Sequence, residues 1–375
     1  MRVALVHDYL NQYGGAERVL EALHELYPDA PVYTSMYEPD AMPDHFRTWD
    51  IRTSFLQRMP LARRFHRAFL LLYPPAFESF DLHYYDVVIS NSSSWAKSVI
   101  TPPETLHICY CLTPMRWAWN YREYLVRENL GRPIRRLLPV AIHYLRMWDA
   151  VTASRADRYI GISRTVVGRI AKYYGREADL IPPPVDARTI PMGTEQGDEY
   201  LVVSRLVPYK RIDLAVAACS ELGLPLTVIS DGRDRARLEG LAGPTVRFLG
   251  RVSDAEMHAA LASCRAFIFP GEEDFGIAPV EAMAAGRPVI AYAGGGALDT
   301  VVDGVTGRLF YPQNVTALED RLKTFDPTDF DPRTIRDHAM RFDTRCFQEA
   351  IAAYVERAWD EASTRTVARW ERAPV

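Results

Sequence analysis

The sequence predicts an α/β protein of two doubly wound domains with a cleft between them, and three observations carry that reading. Short apolar runs alternate with amphipathic segments, the pattern of parallel strands joined by crossover helices. The rhythm breaks once, at Pro182-Pro183-Pro184 and the polar stretch Gly193–Asp198. The chain has 375 residues, 48% hydrophobic and 25% charged, enough for two soluble domains with cores of their own. In sheets of this kind ligands sit beyond the carboxyl ends of the strands.

Val3–Val6 is the first expected strand. A Gly14-Gly15 turn follows, then a helix with Val19, Leu20, Leu23, Leu26 and Tyr27 on one face. Asp86–Ser90, Leu106–Cys111 and Arg158–Ile162 read as further buried strands. The second half repeats the rhythm at Tyr200–Val203, Leu226–Ile229, Val246–Leu249, Ala266–Phe269 and Pro288–Ala291. From Phe347 to Trp370 runs one long helical pattern, placed to cross back to the first domain. The expected division is 1–185 for the first domain, 186–350 for the second and 351–375 for the returning helix.

The net charge of −4 argues against a general nucleic-acid binder. The start, Met-Arg-Val-Ala-Leu-Val-His-Asp, reads as a strand; its apolar run is too short for a signal peptide. No apolar run approaches a membrane span. Five cysteines, an odd number without a disulfide framework, fit a reducing cytoplasm. Cys109 and Cys111 read as buried thiols, since no His or Cys pair completes a zinc pattern.

Residues 270–286, Pro-Gly-Glu-Glu-Asp-Phe-Gly-Ile-Ala-Pro-Val-Glu-Ala-Met-Ala-Ala-Gly, hold the most chemistry. An acidic loop leaves the Ala266–Phe269 strand, and a helix is expected from Pro279 to Gly286. Glu273 then lies in the loop and Glu281 in the first helical turn, beside the positive end of the dipole. Amides around Gly276 and Ile277 suit phosphate or sugar oxygens. The plainer alternative makes Glu281 a dipole partner and Glu273 a solvated charge. A second loop, Ser204-Arg205-Leu206-Val207-Pro208-Tyr209-Lys210-Arg211, follows the first strand of the second domain. Its Arg205 and Lys210 are placed to meet a diphosphate; the alternative is an ordinary exposed basic loop.

Together and in this order, these motifs resemble the retaining glycosyltransferases of family 4, which have the GT-B fold of two Rossmann-like domains. The resemblance spans nearly the whole chain. It includes Gly14-Gly15-Ala16-Glu17-Arg18, Thr113-Pro114-Met115-Arg116, Val207-Pro208-Tyr209-Lys210-Arg211 and Gly271-Glu272-Glu273-Asp274-Phe275-Gly276. It looks closest to the WbaZ-like bacterial mannosyltransferases, which build cell-surface polysaccharides from GDP-mannose. The resemblance implies catalytic roles for Glu273, Arg205 and Lys210. Arg205 and Lys210 meet the donor diphosphate, Glu281 the ribose, and Glu273 the donor sugar beside Phe275, Gly276 and Ile277. Gly14 and Gly15 let the first-domain loop approach the donor. Asp231, Gly232, Arg251 and Val252 flank the base, and Gly294-Gly295-Gly296 turns beneath the nucleotide.

The family usually carries a His immediately before the Thr-Pro-Met-Arg segment, and this chain has Leu112 there. Leu112, Thr113 and Arg116 are therefore placed near the sugar or acceptor with the usual hydrogen bond missing. His107 reads as a satisfied histidine elsewhere. Asp299 stands where a Glu is usual. No cofactor or metal is implied beyond the nucleotide-sugar donor, because no Asp-x-Asp pair closes a strand. The UDP-sugar enzyme and the non-catalytic donor-binding homologue are the alternatives.

Arg58, Arg63, Arg64 and Arg67 interleave with Leu61, Phe65, Phe69 and Leu70. Arg132, Arg135, Arg136 and Arg146 do so with Leu137, Leu138, Ile142 and Leu145. Basic amphipathic segments in the acceptor domain fit an anionic membrane surface. The expectation is a peripheral protein at the cytoplasmic face of the inner membrane, acting on a lipid-linked saccharide. The plainer reading of each segment is a helix with a wet basic face and a buried apolar one.

Overall fold

The structure, a computed structural model, describes residues 1–60, 66–120 and 132–370. The chain forms two compact units, one of Met1–Pro182 with Phe347–Val375, the other of Pro183–Cys346.

Unit 1 is built on β1 (Val3–His7), β2 (Val32–Thr34), β3 (Ile51–Thr53), β4 (Val87–Ser92), β5 (Leu106–Cys111), β6 (Arg158–Gly161) and β7 (Asp179–Leu180). They make one parallel sheet in the order β3-β2-β1-β4-β5-β6-β7. Every residue of β1, β4 and β5 is buried, as a sheet covered on both faces requires. Ala4, Val6, Val88, Tyr73, Phe77 and Trp95 form part of the core on one face.

Differences from expectation have local causes. β2, β3 and β7 hold only two or three residues each, too few for a periodic signal. β3 and β7 are the sheet's edges, and both residues of β7 are exposed. β4 runs on to Ser92, because Asn91 and Ser92 pair with Tyr110 and Cys111. The first helix, Gly15–Leu26, buries Val19, Leu20 and Leu23 as expected, but also Glu17 and His24. His24 stacks on Trp49 with ring centroids 3.9 Å apart, while Leu26 and Tyr27 stay half-buried.

A buried ion pair ties unit 1 together. Lys97 Nζ lies 2.8 Å from Asp149 Oδ1, with side chains 1% and 0% exposed. Asp149 also accepts from Trp119 Nε1 at 2.7 Å and from the Tyr174 hydroxyl. Lys97 donates to Thr152 Oγ1 at 3.2 Å and lies over the Trp148 and Tyr174 rings. Asp149 belongs to the helix Arg132–Thr152, and Trp119 ends the short helix Arg116–Trp119. Arg146 donates to the Ala118 carbonyl at 2.8 Å, a second tie between the same two helices.

The helix Thr344–Trp370 packs on unit 1. Tyr354 donates to Asp179 Oδ2 at 2.9 Å and Gln348 to the Ala22 carbonyl at 3.2 Å. Arg158 pairs with Glu361 at 2.6 Å.

Unit 2 contains β8 (Tyr200–Val203), β9 (Leu226–Ile229), β10 (Val246–Gly250), β11 (Ala266–Phe269), β12 (Val289–Tyr292) and β13 (Gly307–Phe310). They form a second parallel sheet, β10-β9-β8-β11-β12-β13. β13, Gly-Arg-Leu-Phe, has no apolar run because it is an edge strand with two half-buried residues. The helix after β11 spans Ile277–Ala284, starting two residues before Pro279, with Gly276 as its N-cap at φ +94°. Proline sits comfortably at this third position, where the N–H has no intrahelical acceptor. Glu281 therefore lies in the second turn, not the first, so the dipole argument for it weakens. Gly286 follows the helix end at φ +75°, a conformation glycine adopts without strain.

Candidate functional site

The carboxyl edge of unit 2 is assembled by close backbone approaches. After β8, the Leu206 N–H donates to the Asp231 carbonyl and its own carbonyl accepts from Asp234, both at 3.0 Å. A Cβ on Gly232 would come within 2.2 Å of that Leu206 oxygen, so only glycine lets the two loops meet. Pro208–Lys210 forms a 3₁₀ turn and Arg211 takes φ +53°. The turn aims Lys210 at the loop after β11, where its Nζ pairs with the Glu273 carboxylate. The two side chains are 12% and 21% exposed, so the pair is reachable. A Cβ on Gly271 would fall 2.7 Å from the Lys210 carbonyl, again a demand for close contact.

The glycine turn after β12 lies against the same loop. Gly296 N–H donates to the Glu273 carbonyl at 2.8 Å. Cβ atoms on Gly295 and Gly296 would lie 2.2 Å from the Glu273 oxygen and the Phe275 Cα. Phe275 is buried and meets the Phe342 ring edge-on at 5.6 Å. Gly276 is buried and Ile277 half-buried. Thus Lys210, Glu273, Phe275 and the glycine turn come together. Arg205 is exposed on the same loop as Lys210, and Glu281 is buried in the helix behind. Asp231 and Arg251 are exposed and Gly232 and Val252 half-buried. Asp231 accepts from the Gly232 N–H at 2.7 Å and stands 3.9 Å from Arg235.

In unit 1, Gly14 caps the Gly15–Leu26 helix with extended backbone. A Cβ there would meet only Glu17 Oε2, at an ordinary 3.5 Å. Neither backbone nor neighbours demand glycine at 14, so any requirement for it comes from outside the fold. Sequence reasoning missed the polar groups at the ends of β1 and β4. His7 lies 3.3 Å from Glu17 and 3.2 Å from Asn91 Nδ2, which also donates to the Ala16 carbonyl at 2.8 Å. Asp8 accepts from Ser93, Trp95 and Ala96 backbone N–H groups at 2.7–2.8 Å. The signal available was a His-Asp pair directly ending the first strand, at the carboxyl edge where sheets of this kind place ligands.

Leu112 is half-buried and its N–H continues the sheet, donating to Ser92 at 2.8 Å. Thr113 Oγ1 is buried with no hydrogen-bond partner. Arg116 is half-buried at the start of its helix. His107 is fully buried, its ring Nε2 2.9 Å from Ser90 Oγ and its backbone N–H donating to Asp157 at 2.8 Å. Burial pushes its imidazole down to about 4, so it is a neutral core histidine and not a stand-in at position 112. Cys109 and Cys111 are buried free thiols, and burial pushes the Cys111 thiol well above its ordinary range.

Residues 193–326 match the family Glycosyl transferases group 1. A GDP-mannose-dependent alpha-mannosyltransferase of Mycolicibacterium smegmatis is 33% identical over 43% of this chain and 46% of its own length. A GDP-mannose-dependent alpha-(1-6)-phosphatidylinositol monomannoside mannosyltransferase of the same organism is 30% identical over 48% and 55%. The chain thus spans about half the length of these curated relatives. The Anabaena protein Alr3699/HepE, solved in complex with UDP, superposes with a TM-score of 0.69 over 95% of this chain and 100% of its own, at 18% identity. The two units are Rossmann-like parallel-sheet domains of the GT-B type.

Proposed function

We propose that this chain is a metal-independent retaining glycosyltransferase that moves mannose from GDP-mannose to a lipid-linked saccharide in bacterial surface-polysaccharide synthesis. The observation that carries the reading is the convergence of Lys210 on Glu273 at the carboxyl edge of β8 and β11. It lies inside the region matching the glycosyltransferase family. The names of the mycolicibacterial relatives support mannose, GDP and a lipid acceptor.

Without donor, the Lys210 ammonium and Glu273 carboxylate neutralise each other. A bound diphosphate competes for Lys210 and leaves Glu273 to accept from sugar hydroxyls. As the glycosidic bond lengthens, charge grows on the leaving diphosphate. Arg205 and Lys210 then stabilise the transition state more than the ground state. The sugar passes through an oxocarbenium-like state; the acceptor hydroxyl attacks C1 on the face the diphosphate leaves and gives its proton to the departing diphosphate oxygen.

Calorimetry with GDP and UDP tests the donor, and transfer of radiolabelled mannose from GDP-mannose to membrane lipid tests the reaction. GDP is expected to bind more tightly than UDP, and Arg205→Ala to weaken GDP by about 10- to 100-fold, as for a charge-assisted contact. Transfer is expected to persist in excess chelator; loss restored by magnesium or manganese overturns metal independence. Tighter binding of UDP moves the donor to a UDP-sugar. Leu112 favours a second reading, a donor-binding scaffold without turnover, since it offers no hydrogen bond beside the unpartnered Thr113 hydroxyl. GDP binding with neither transfer nor hydrolysis, in wild type and in Leu112→His, selects that reading.

We propose peripheral membrane binding through the helix Arg132–Thr152, on an apolar stripe that adds to the arginine segments. Arg63 and Arg64 lie outside the described residues, as do the side chains of Arg67, Arg132, Arg135 and Arg136. Arg58 is exposed, while Arg146 is turned inward to Ala118. Among the described side chains of Arg132–Thr152, Val140, Tyr144, Met147 and Val151 are 57%, 60%, 44% and 70% exposed, with His143 exposed beside them. Their spacing puts them on one helical stripe. Among the described residues no helix is long and apolar enough to cross a membrane, so this stripe supports binding at a surface. Sedimentation with phosphatidylglycerol vesicles is expected to retain wild type at low salt. Met147→Asp with Val151→Asp is expected to release it without changing GDP affinity. Wild-type protein left in the supernatant at low salt refutes the membrane assignment.

A further inference from the structure

A second surface of unit 2 has the chemistry of a sugar site. Tyr292 ends β12 and Tyr311 directly follows β13. Their rings lie near parallel, 18° apart with centroids at 6.4 Å, an offset pair that makes an aromatic terrace. Tyr311 is 75% exposed, so one broad face of its ring is open. Beside it is a cavity of about 420 Å³ whose lining includes Asn314, Thr316, Asp320 and Arg321. That volume is of small-ligand size.

The combination selects a class of ligand. A pyranose has an apolar face of C–H groups and a rim of hydroxyls that both donate and accept. The open Tyr311 face meets the first. Asn314, Thr316, Asp320 and Arg321 supply donors and acceptors for the second. The adjacent opposite charges of Asp320 and Arg321 disfavour a phosphate, which would want cations alone.

The surface adjoins the candidate donor loop. Gln313 Nε2 donates to the Pro270 carbonyl at 2.9 Å, and Pro270 directly precedes Gly271. Burial raises the Tyr292 hydroxyl, and the Glu272 carboxylate adds to that rise, which places the terrace beside the acidic loop.

We propose that the Tyr292–Tyr311 terrace and its cavity bind a pyranose residue of a glycan chain, separately from the donor sugar. The assignment of this glycan as acceptor or product rests on the glycosyltransferase reading. The site retains a growing chain near the loop that holds the donor.

Calorimetry of the full chain with a soluble linear mannotetraose tests this, with GDP titrated in parallel. Tyr311→Ala is expected to weaken mannotetraose by about tenfold, and Tyr311→Phe, which keeps the ring, by no more than about twofold. GDP affinity is expected to be the same in all three proteins. Equal mannotetraose affinity in wild type and Tyr311→Ala overturns the site, as does a wild type that binds GDP but no mannotetraose at millimolar concentration. GDP binding that Tyr311→Ala abolishes also overturns it, by making the terrace a nucleotide platform. Tyr311-dependent mannotetraose binding by a wild type that ignores GDP supports the site and refutes the donor reading instead.

Discussion

Lys97→Met is expected to destabilise unit 1 by about 3–5 kcal/mol, because it strands the Asp149 carboxylate in a dry interior. Asp149 is 0% exposed, and Lys97 is its cationic partner at 2.8 Å. Methionine fills the space of the lysine stem but leaves the charge, among the described residues, with the Trp119 and Tyr174 donors. The melting temperature is expected to fall on the order of 10 °C. The double variant Lys97→Met with Asp149→Asn should recover most of the loss, since the amide oxygen still accepts from Trp119 and carries no charge. A single variant as stable as wild type would show that water or rearrangement satisfies Asp149. Because Asp149 also holds Trp119, the single variant should loosen the helix that begins at Arg116.

In the proposed reaction, Lys210→Ala is expected to lower mannose transfer by about 10²- to 10³-fold, the cost of removing one preorganised group that meets developing charge. GDP should bind about 10- to 100-fold more weakly. Stability should fall far less than in Lys97→Met, because the Glu273 carboxylate keeps contact with water that can solvate it once Lys210 is gone. That contrast separates a chemical role from a structural one. Glu273→Ala should also depress turnover but leave GDP affinity intact, its proposed contact being with the sugar. Unchanged turnover and GDP affinity in Lys210→Ala would mean that the pair only ties two loops.

Much of this was legible in the residues themselves. β5, β8, β9 and β11 have the expected bounds because runs of four to six mostly apolar residues, broken only by His107 and Thr227, are unambiguous in a doubly covered sheet. The basic and acidic loops of unit 2 were visible because charge and glycine follow those strands directly. The Lys210–Glu273 contact was not, since the 62 residues between them decide which loops meet. β2, β3 and β7 escaped because two or three residues hold no period. The Lys97–Asp149 pair escaped because a lysine in a polar stretch reads as solvated until its surroundings are known. Arg146 looked like part of a wet basic face, yet a backbone carbonyl captures it.

The long helix Thr344–Trp370 has a bearing on the order in which the protein is made. Unit 2 is an insertion within unit 1: Val185 donates to the Phe342 carbonyl at 2.9 Å and accepts from Thr344 at 3.1 Å, so the insertion's ends lie side by side. On the ribosome, every residue of unit 2 emerges before Tyr354 can reach Asp179 or Glu361 can reach Arg158. The unit synthesised first is thus the one completed last. Until then, the Tyr110 ring lacks Phe347, which covers it edge-on at 5.5 Å in the finished fold. A nascent chain stopped before residue 347 carries a finished second unit and a first one with part of its apolar interior still open, the state in which a chaperone would find it.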